Sequence, residues 1–195
     1  AALVDSGCDR VTWLEWSDSV AAGVKGVPDS LLEQAARILL AADIVITAGN
    51  GGSASLASHM AQAISKPDYK AGGRRAVCLT DAVPTLTAHA NDGGWAGALL
   101  DGARPFLRPG CAVVLFSSSG KSANVLRLAG QAVMSGCPVV AFTGFDGGPL
   151  KTLIAAKFNV PSVSLHVEST DYEVVEPCHS ALLHRVQYHL RALQV

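Results

Sequence analysis

Five short, nearly unbroken apolar runs punctuate the chain: DIVITAG (43–49), RRAVCLT (74–80), CAVVLFSS (111–118), PVVAFTG (138–144) and PSVSLHV (161–167). Runs of this length, rich in Val and bounded by Gly, Pro and Ser, predict strands buried on both faces. Between them the apolar positions recur at helical period. SASLASHMAQAIS follows the first run, a helical stretch at 84–89 the second, and GKSANVLRLAGQAVMSG, closed by Gly136, the third. A short helix begins at Asp146, and a long one runs from about Thr170 to the C-terminus. Ahead of the first strand, Leu31, Leu32, Ala35, Ile38 and Leu39 fall on one helix face, with Asp29 and Ser30 after Pro28 as candidate caps. The first ~25 residues, carrying Trp13, Leu14 and Trp16, read as a further helix that packs on a partner subunit.

Strands alternating with helices in this way imply a parallel sheet covered on both faces. The expected fold is α/β, a three-layer α/β/α sandwich with a five-stranded parallel sheet. It forms a single domain, with N-terminal helices over about 1–42 and the core over 43–195.

The composition narrows the function. Of 195 residues, 49% are apolar and 16% charged, against the roughly 25% charged residues usual for globular domains, so a large core is expected. Fifteen basic and 16 acidic residues balance to a net charge of −1, which argues against nucleic acid as a partner. The longest apolar run, 38–48, is broken by Asp43 and falls short of the ~20 residues of a membrane span. No basic segment followed by an apolar one opens the chain, so a cytoplasmic location is expected. The five cysteines, Cys8, Cys78, Cys111, Cys137 and Cys178, are widely spaced and form no CxxC, which suits reduced core thiols. Cys178 alone, in a histidine-rich helix, is a candidate metal ligand.

In a parallel α/β sheet, ligands bind beyond the carboxyl ends of the strands. Two turns stand out there. In Ala48-Gly49-Asn50-Gly51-Gly52-Ser53, glycines admit a ligand to the backbone and Ser53 is placed to cap the next helix. In Ser117-Ser118-Ser119-Gly120-Lys121-Ser122, four hydroxyls and a lysine open a helix, where free N–H groups and the helix dipole favour a phosphate. Either turn alone reads as ordinary capping chemistry; the two together point to a phosphorylated sugar. The GxGxxA match at 49–54 lacks the acidic residue a dinucleotide site needs at the end of the second strand, where Asp81 comes too late. Gly120-Lys121-Ser122 is no P-loop, because the required earlier glycine is Leu115.

Of six histidines, His59, His179, His184 and His189 draw interest, whereas His89 and His166 read as structural. His59 lies two turns into the helix after the glycine turn. Glu176 and His184, eight residues apart, are about 80° apart around the last helix and can face one way. His59, Glu176 and His184 therefore make a candidate three-ligand metal site with an open position, although a histidine on a helix face is usually structural.

GNGGS (49–53), the helix with His59, Ala90-Asn91-Asp92, SSSGKSANV (117–125), TGFDGG (143–148) and the terminal helix with His179 and His184 together resemble the sugar isomerase (SIS) domain family, in its phosphoheptose isomerase type. The resemblance spans nearly the whole chain. It implies a flavodoxin-like sheet, a homotetramer with sites at subunit interfaces, and conversion of a ketose phosphate to an aldose phosphate through an enediol. By this resemblance Ser117, Ser118, Ser119 and Ser122 hold the phosphate. Asn50, Gly51, Ser53, Asp92 and Glu173 contact substrate, and His59, Glu176 and His184 bind Zn2+.

Two departures bear on activity. The glutamate that heptose isomerases carry four residues after the first zinc histidine, as ligand and base, is here Ala63. The family's Arg-Ile-Gln-Glu segment reads Val174-Val175-Glu176-Pro177, which puts an acid where an amide is usual. In one reading Glu176 restores the lost carboxylate as ligand or base, with His184 as ligand or acid/base. In the other, catalysis is lost and the scaffold binds a sugar phosphate or a protein partner. Gln62 is a further candidate for the site, and the basic loop with Lys66, Lys70, Arg74 and Arg75 either shapes sugar selectivity or is solvated surface. Relatives in antibiotic pathways isomerise an eight-carbon ketose phosphate, so the expected substrate is sedoheptulose 7-phosphate or its octulose 8-phosphate homologue.

Overall fold

The computed structural model describes residues 11–66, 73–156 and 159–193. The five expected strands form one parallel sheet: β1 (Ile44–Gly49), β2 (Arg75–Cys78), β3 (Cys111–Ser117), β4 (Val139–Thr143) and β5 (Val163–His166), in the order β2-β1-β3-β4-β5. This is the flavodoxin-like order, and its direction reverses between β1 and β3.

Alternate side chains of each strand enter opposite layers. Val45, Val114, Phe116, Val140, Phe142 and Leu165 pack under helices α2 (Asp29–Ala41), α3 (Gly52–Ser65) and α8 (Tyr172–Ala192), with α1 (Trp13–Lys25) lying on α8. Ile46, Ala48, Val113, Leu115, Val139 and Ala141 face α5 (Trp95–Ala103), α6 (Ala123–Met134) and α7 (Gly148–Ala155). Phe116 and Phe142 stack in the first layer with centroids 4.3 Å apart. Among the described residues no helix is long and apolar enough to cross a membrane.

Several expectations change. The stretch at 84–89 is part of a longer helix, α4 (Val83–Gly93), which buries no residue, and α5 follows it with no forewarning in the sequence reading. Asp29 and Ser30 do not cap α2, whose N-cap is Pro28. Asp29 instead accepts from Arg185 (2.7 and 3.0 Å) and pairs with buried His189 (3.0 Å), tying α2 to α8. Cys178 is fully buried, its thiol donating to the Val20 carbonyl of α1 (3.3 Å), and is core rather than a metal ligand. Cys78, Cys111 and Cys137 are buried free thiols as expected, while Cys8 lies outside the described residues.

Candidate functional site

The two turns singled out in the sequence follow β1 and β3, the strands that flank the reversal in strand order. That crevice is where open α/β sheets hold ligands. A pocket of about 130 Å³ lies there. The turn after β1 contributes Asn50 and Ser53; the turn after β3 contributes Ser117, Ser118, Ser119 and Ser122; α8 contributes Tyr172 and Glu176.

The serine turn is built as a rigid cradle at the N-terminus of α6. Gly120 has φ +63° and lies so close to the Gly147 carbonyl that a Cβ would overlap it. Gly144 N–H donates to the Ser118 carbonyl (2.8 Å) and Leu150 N–H to the Gly120 carbonyl (3.1 Å), so the loop before α7 clamps the turn from outside. Lys121 does not line the pocket. It pairs with Asp146 (2.9 Å), in the open, and the lysine holds that carboxyl below its usual range. Ser118 is 4% exposed, and its Oγ has no hydrogen-bond partner. A buried hydroxyl without a partner costs about 1–3 kcal/mol, a cost that an oxyanion in the pocket would remove.

The two turns are joined by side chains. Asn50 Nδ2 donates to Asn124 Oδ1 (3.0 Å) and Asn124 Nδ2 donates back to Asn50 Oδ1 (2.9 Å), while Val125 N–H also donates to Asn124 Oδ1 (2.9 Å). Gly51, at φ +55° and ψ −127°, turns the chain into α3 but does not itself line the pocket. Ser53 lines the pocket and makes no cap; the N-cap position is Gly51.

Glu176 lies against Gly52, the first residue of α3: a Cβ there would sit 2.9 Å from the carboxylate Cδ and Oε1. The carboxylate thus rests at the positive end of α3, where a negative charge is favoured. With α3 so occupied, the N-terminus of α6 and its unpartnered Ser118 hydroxyl are left for an anionic ligand.

His59 and His184 come together, their rings edge to face with centroids 4.9 Å apart. Burial, then the neighbouring His184 and Lys66, push the His59 pKa below its usual value. Gln187 Oε1 meets His184 Nδ1 at 3.0 Å, which orients the imidazole. Glu176 does not join the pair. Among the described residues no three His, Cys, Asp or Glu side chains gather as a metal site. Of the three expected ligands, the structure brings His59 and His184 together and leaves Glu176 apart.

Other expected residues lie elsewhere. Asp92 is exposed on α4, where Asn91 Nδ2 donates to it (3.0 Å). Glu173 is exposed and outside the pocket; its N–H donates to Asp171 and its carbonyl accepts from Trp16 Nε1 (3.0 Å). Gln62 is exposed and outside the pocket, and Ala63 is buried at 3% exposure. Residues 67–72 of the basic loop are outside the described residues, while Arg74 and Arg75 donate to the Ala42 and Asp43 carbonyls (3.0 and 3.3 Å). His179 is fully buried beside Phe116 and Phe142, its Nε2 bonded to the Thr143 carbonyl (3.1 Å), and burial drives its pKa down to about 4. Asn124 and Tyr172 were not anticipated. Asn124 sat inside the SSSGKSANV motif, but its reach across to Asn50 has no sequence signal; Tyr172 reads as a surface aromatic beside a helix cap.

Residues 16–144 match the SIS domain family. The chain is 36% identical over 147 residues to the lincomycin biosynthesis protein LmbN of Streptomyces lincolnensis, an alignment covering 71% of this chain and 52% of that one. It thus spans about half the length of that relative. It is 31% identical over 147 residues to the phosphoheptose isomerase of Colwellia psychrerythraea, covering 75% and 73% of the two chains. The phosphoheptose isomerase structure from Neisseria gonorrhoeae superposes with a TM-score of 0.81 at 28% identity, over 92% of this chain and 96% of that one. With the sheet order, the serine cradle at the strand reversal and these likenesses in agreement, the chain belongs to the SIS domain family, in its phosphoheptose isomerase type.

Proposed function

We propose that this chain interconverts a ketose phosphate and an aldose phosphate, taking sedoheptulose 7-phosphate or an eight-carbon homologue as substrate. The observation that carries the reading is the unpartnered, buried Ser118 hydroxyl at the N-terminus of α6, in one pocket with the Glu176 carboxylate. The serine cradle holds the phosphate by hydroxyls and backbone N–H groups, which fixes the sugar's position. Glu176 is the base. It takes a proton from C1 of the ketose, giving an enediol, exchanges that proton with solvent and delivers one to C2, while O1 loses a hydroxyl proton and O2 gains one. General acid/base catalysis of this kind contributes roughly 10²–10⁴-fold.

Only two donors of the expected zinc set meet, so no step here is routed through a metal. A homotetramer belongs to the same proposal: α4 leaves Asp92 in solvent within one chain, and exposed Val83 and Trp95 flank it. The LmbN likeness supports the eight-carbon alternative. The second reading, a sugar-phosphate or partner-binding protein without turnover, is favoured by the buried methyl of Ala63 in place of a glutamate.

The test follows each ketose phosphate by NMR with the wild type, Ser118→Ala and Glu176→Gln. The reading expects an aldose phosphate from at least one sugar, a raised KM in Ser118→Ala, and a kcat at least 100-fold lower in Glu176→Gln. Binding of the sugar phosphate with no conversion establishes the second reading instead.

A further inference from the structure

We propose that Tyr172, backed by Phe145, is the residue that reads the sugar chain beyond the phosphate; this rests on the sugar-phosphate reading of the same pocket. The pocket's volume, about 130 Å³, is small beside the ~300–1,000 Å³ of sites that enclose a drug-sized ligand. The phosphate on the serine cradle and the C1–C2 end over Glu176 fill it, so the carbons between them bow outward. The rest of a seven- or eight-carbon chain must leave across the rim, and Tyr172 lines the pocket while remaining 54% exposed.

The tyrosine is held in place. Asp171 caps α8 by accepting from Glu173 N–H (2.8 Å), and Asp171 N–H donates to Ser169 Oγ (3.2 Å), so the backbone under Tyr172 is fixed at both sides. Its ring meets that of Phe145, with centroids 4.7 Å apart and planes tilted by 55°.

Phe145 has a positive φ of 53°, the one non-glycine residue of the described chain to do so. Its N–H donates to the Ser169 carbonyl (2.7 Å), and its side chain packs against the core. A bulky side chain in this region is strained, and glycine would carry no such strain. Residues held in this way mark places where the surrounding structure over-determines a conformation, often beside ligands. Here the strained backbone sets an aromatic ring behind Tyr172. The tyrosine ring is held against Phe145, and its exposed part is left for the sugar.

The experiment measures binding of inorganic phosphate, sedoheptulose 7-phosphate and its eight-carbon homologue to the wild type, Tyr172→Phe, Tyr172→Ala and Phe145→Gly, with Ser118→Ala as control. Tyr172→Ala is expected to weaken the sugar phosphates roughly three- to tenfold, the range of an aromatic contact, and to shift the ratio between the two sugars. Inorganic phosphate binding stays as in the wild type. Phe145→Gly relieves the backbone but loses core packing, so it lowers the melting temperature while shifting the sugar ratio in the same direction. Tyr172→Phe separates the ring from the hydroxyl, each size of loss assigning the contact. Sugar-phosphate affinities and ratio unchanged in Tyr172→Ala overturn the inference while leaving the phosphate reading intact. A wild type that binds neither phosphate nor sugar phosphate overturns both.

Discussion

The Trp16 indole N–H donates to the carbonyl of Glu173 (3.0 Å), the carbonyl that Pro177, four residues on, cannot bond because proline has no N–H. A gap in the helical ladder of α8 thus becomes the docking point for α1. Trp16→Phe is expected to lower stability by about 1 kcal/mol, the net worth of such a bond. In a Pro177→Ala background, where residue 177 again donates to Glu173, the same substitution should cost measurably less. Urea denaturation of the four proteins of this cycle reads the coupling.

The reciprocal amide bonds of Asn50 and Asn124 hold the two ligand turns in register. Asn124→Ala should cost about 1–3 kcal/mol, because it leaves both the Asn50 amide and the Val125 N–H unsatisfied. It should also weaken sugar-phosphate binding. Asn124→Asp keeps the acceptor for Val125 and Asn50 but loses the donor to Asn50 Oδ1, and should fall between. Thermal melts and a binding titration on the same variants check both effects.

The histidine pair sets an expectation for zinc. With His59 and His184 the expected ligands brought together among the described residues, zinc should bind, but weakly, and be lost in either His→Ala variant. Glu176→Gln should leave zinc affinity within about threefold of the wild type. A loss of 10–100-fold on that substitution, the usual cost of disturbing a metal's ligand shell, would show that Glu176 swings in as the third ligand. Calorimetric titration with Zn2+ decides between them.

His179 sets part of the acid sensitivity. Its pKa in the folded chain, about 4, lies below the ordinary histidine value of 6.5, so between these pH values the unfolded chain binds more protons. Stability is therefore full above about pH 6.5 and declines as pH falls toward 4, by about 3 kcal/mol from this group. His59 and His166, also lowered, act in the same direction. His179→Gln, which keeps an N–H for the Thr143 carbonyl, should flatten the stability profile over that range. Denaturation midpoints from pH 4 to 7.5 give the slope.

The strands were legible because each is written as an apolar run, although only β1, β3 and β4 are buried on both faces; all five fall within a residue or two of the stretches read from sequence. The serine and glycine turns were legible as a pair: either alone reads as ordinary capping, but both follow strands of one parallel sheet. α5 escaped notice because WAGALLDGA has three interruptions by Gly and Asp that weaken its helical period. Glu176 was found as a candidate, yet its resting place over Gly52 depends on how α8 crosses α3, which angular position on a helix does not give. The eight-residue spacing to His184 likewise fixed the angle and ignored about 12 Å of rise along the axis. Tyr172 and Phe145 escaped because their pairing depends on one positive φ, and no local pattern announces it.

The most direct test of the account is solvent-proton exchange. The protein would be incubated in D2O with sedoheptulose 7-phosphate and, separately, with its eight-carbon homologue, with and without added Zn2+, and the sugar followed by NMR. The account predicts an aldose phosphate carrying deuterium at C2, formed with at least one sugar and suppressed in Glu176→Gln. No exchange with either sugar under any metal condition would contradict the isomerase reading.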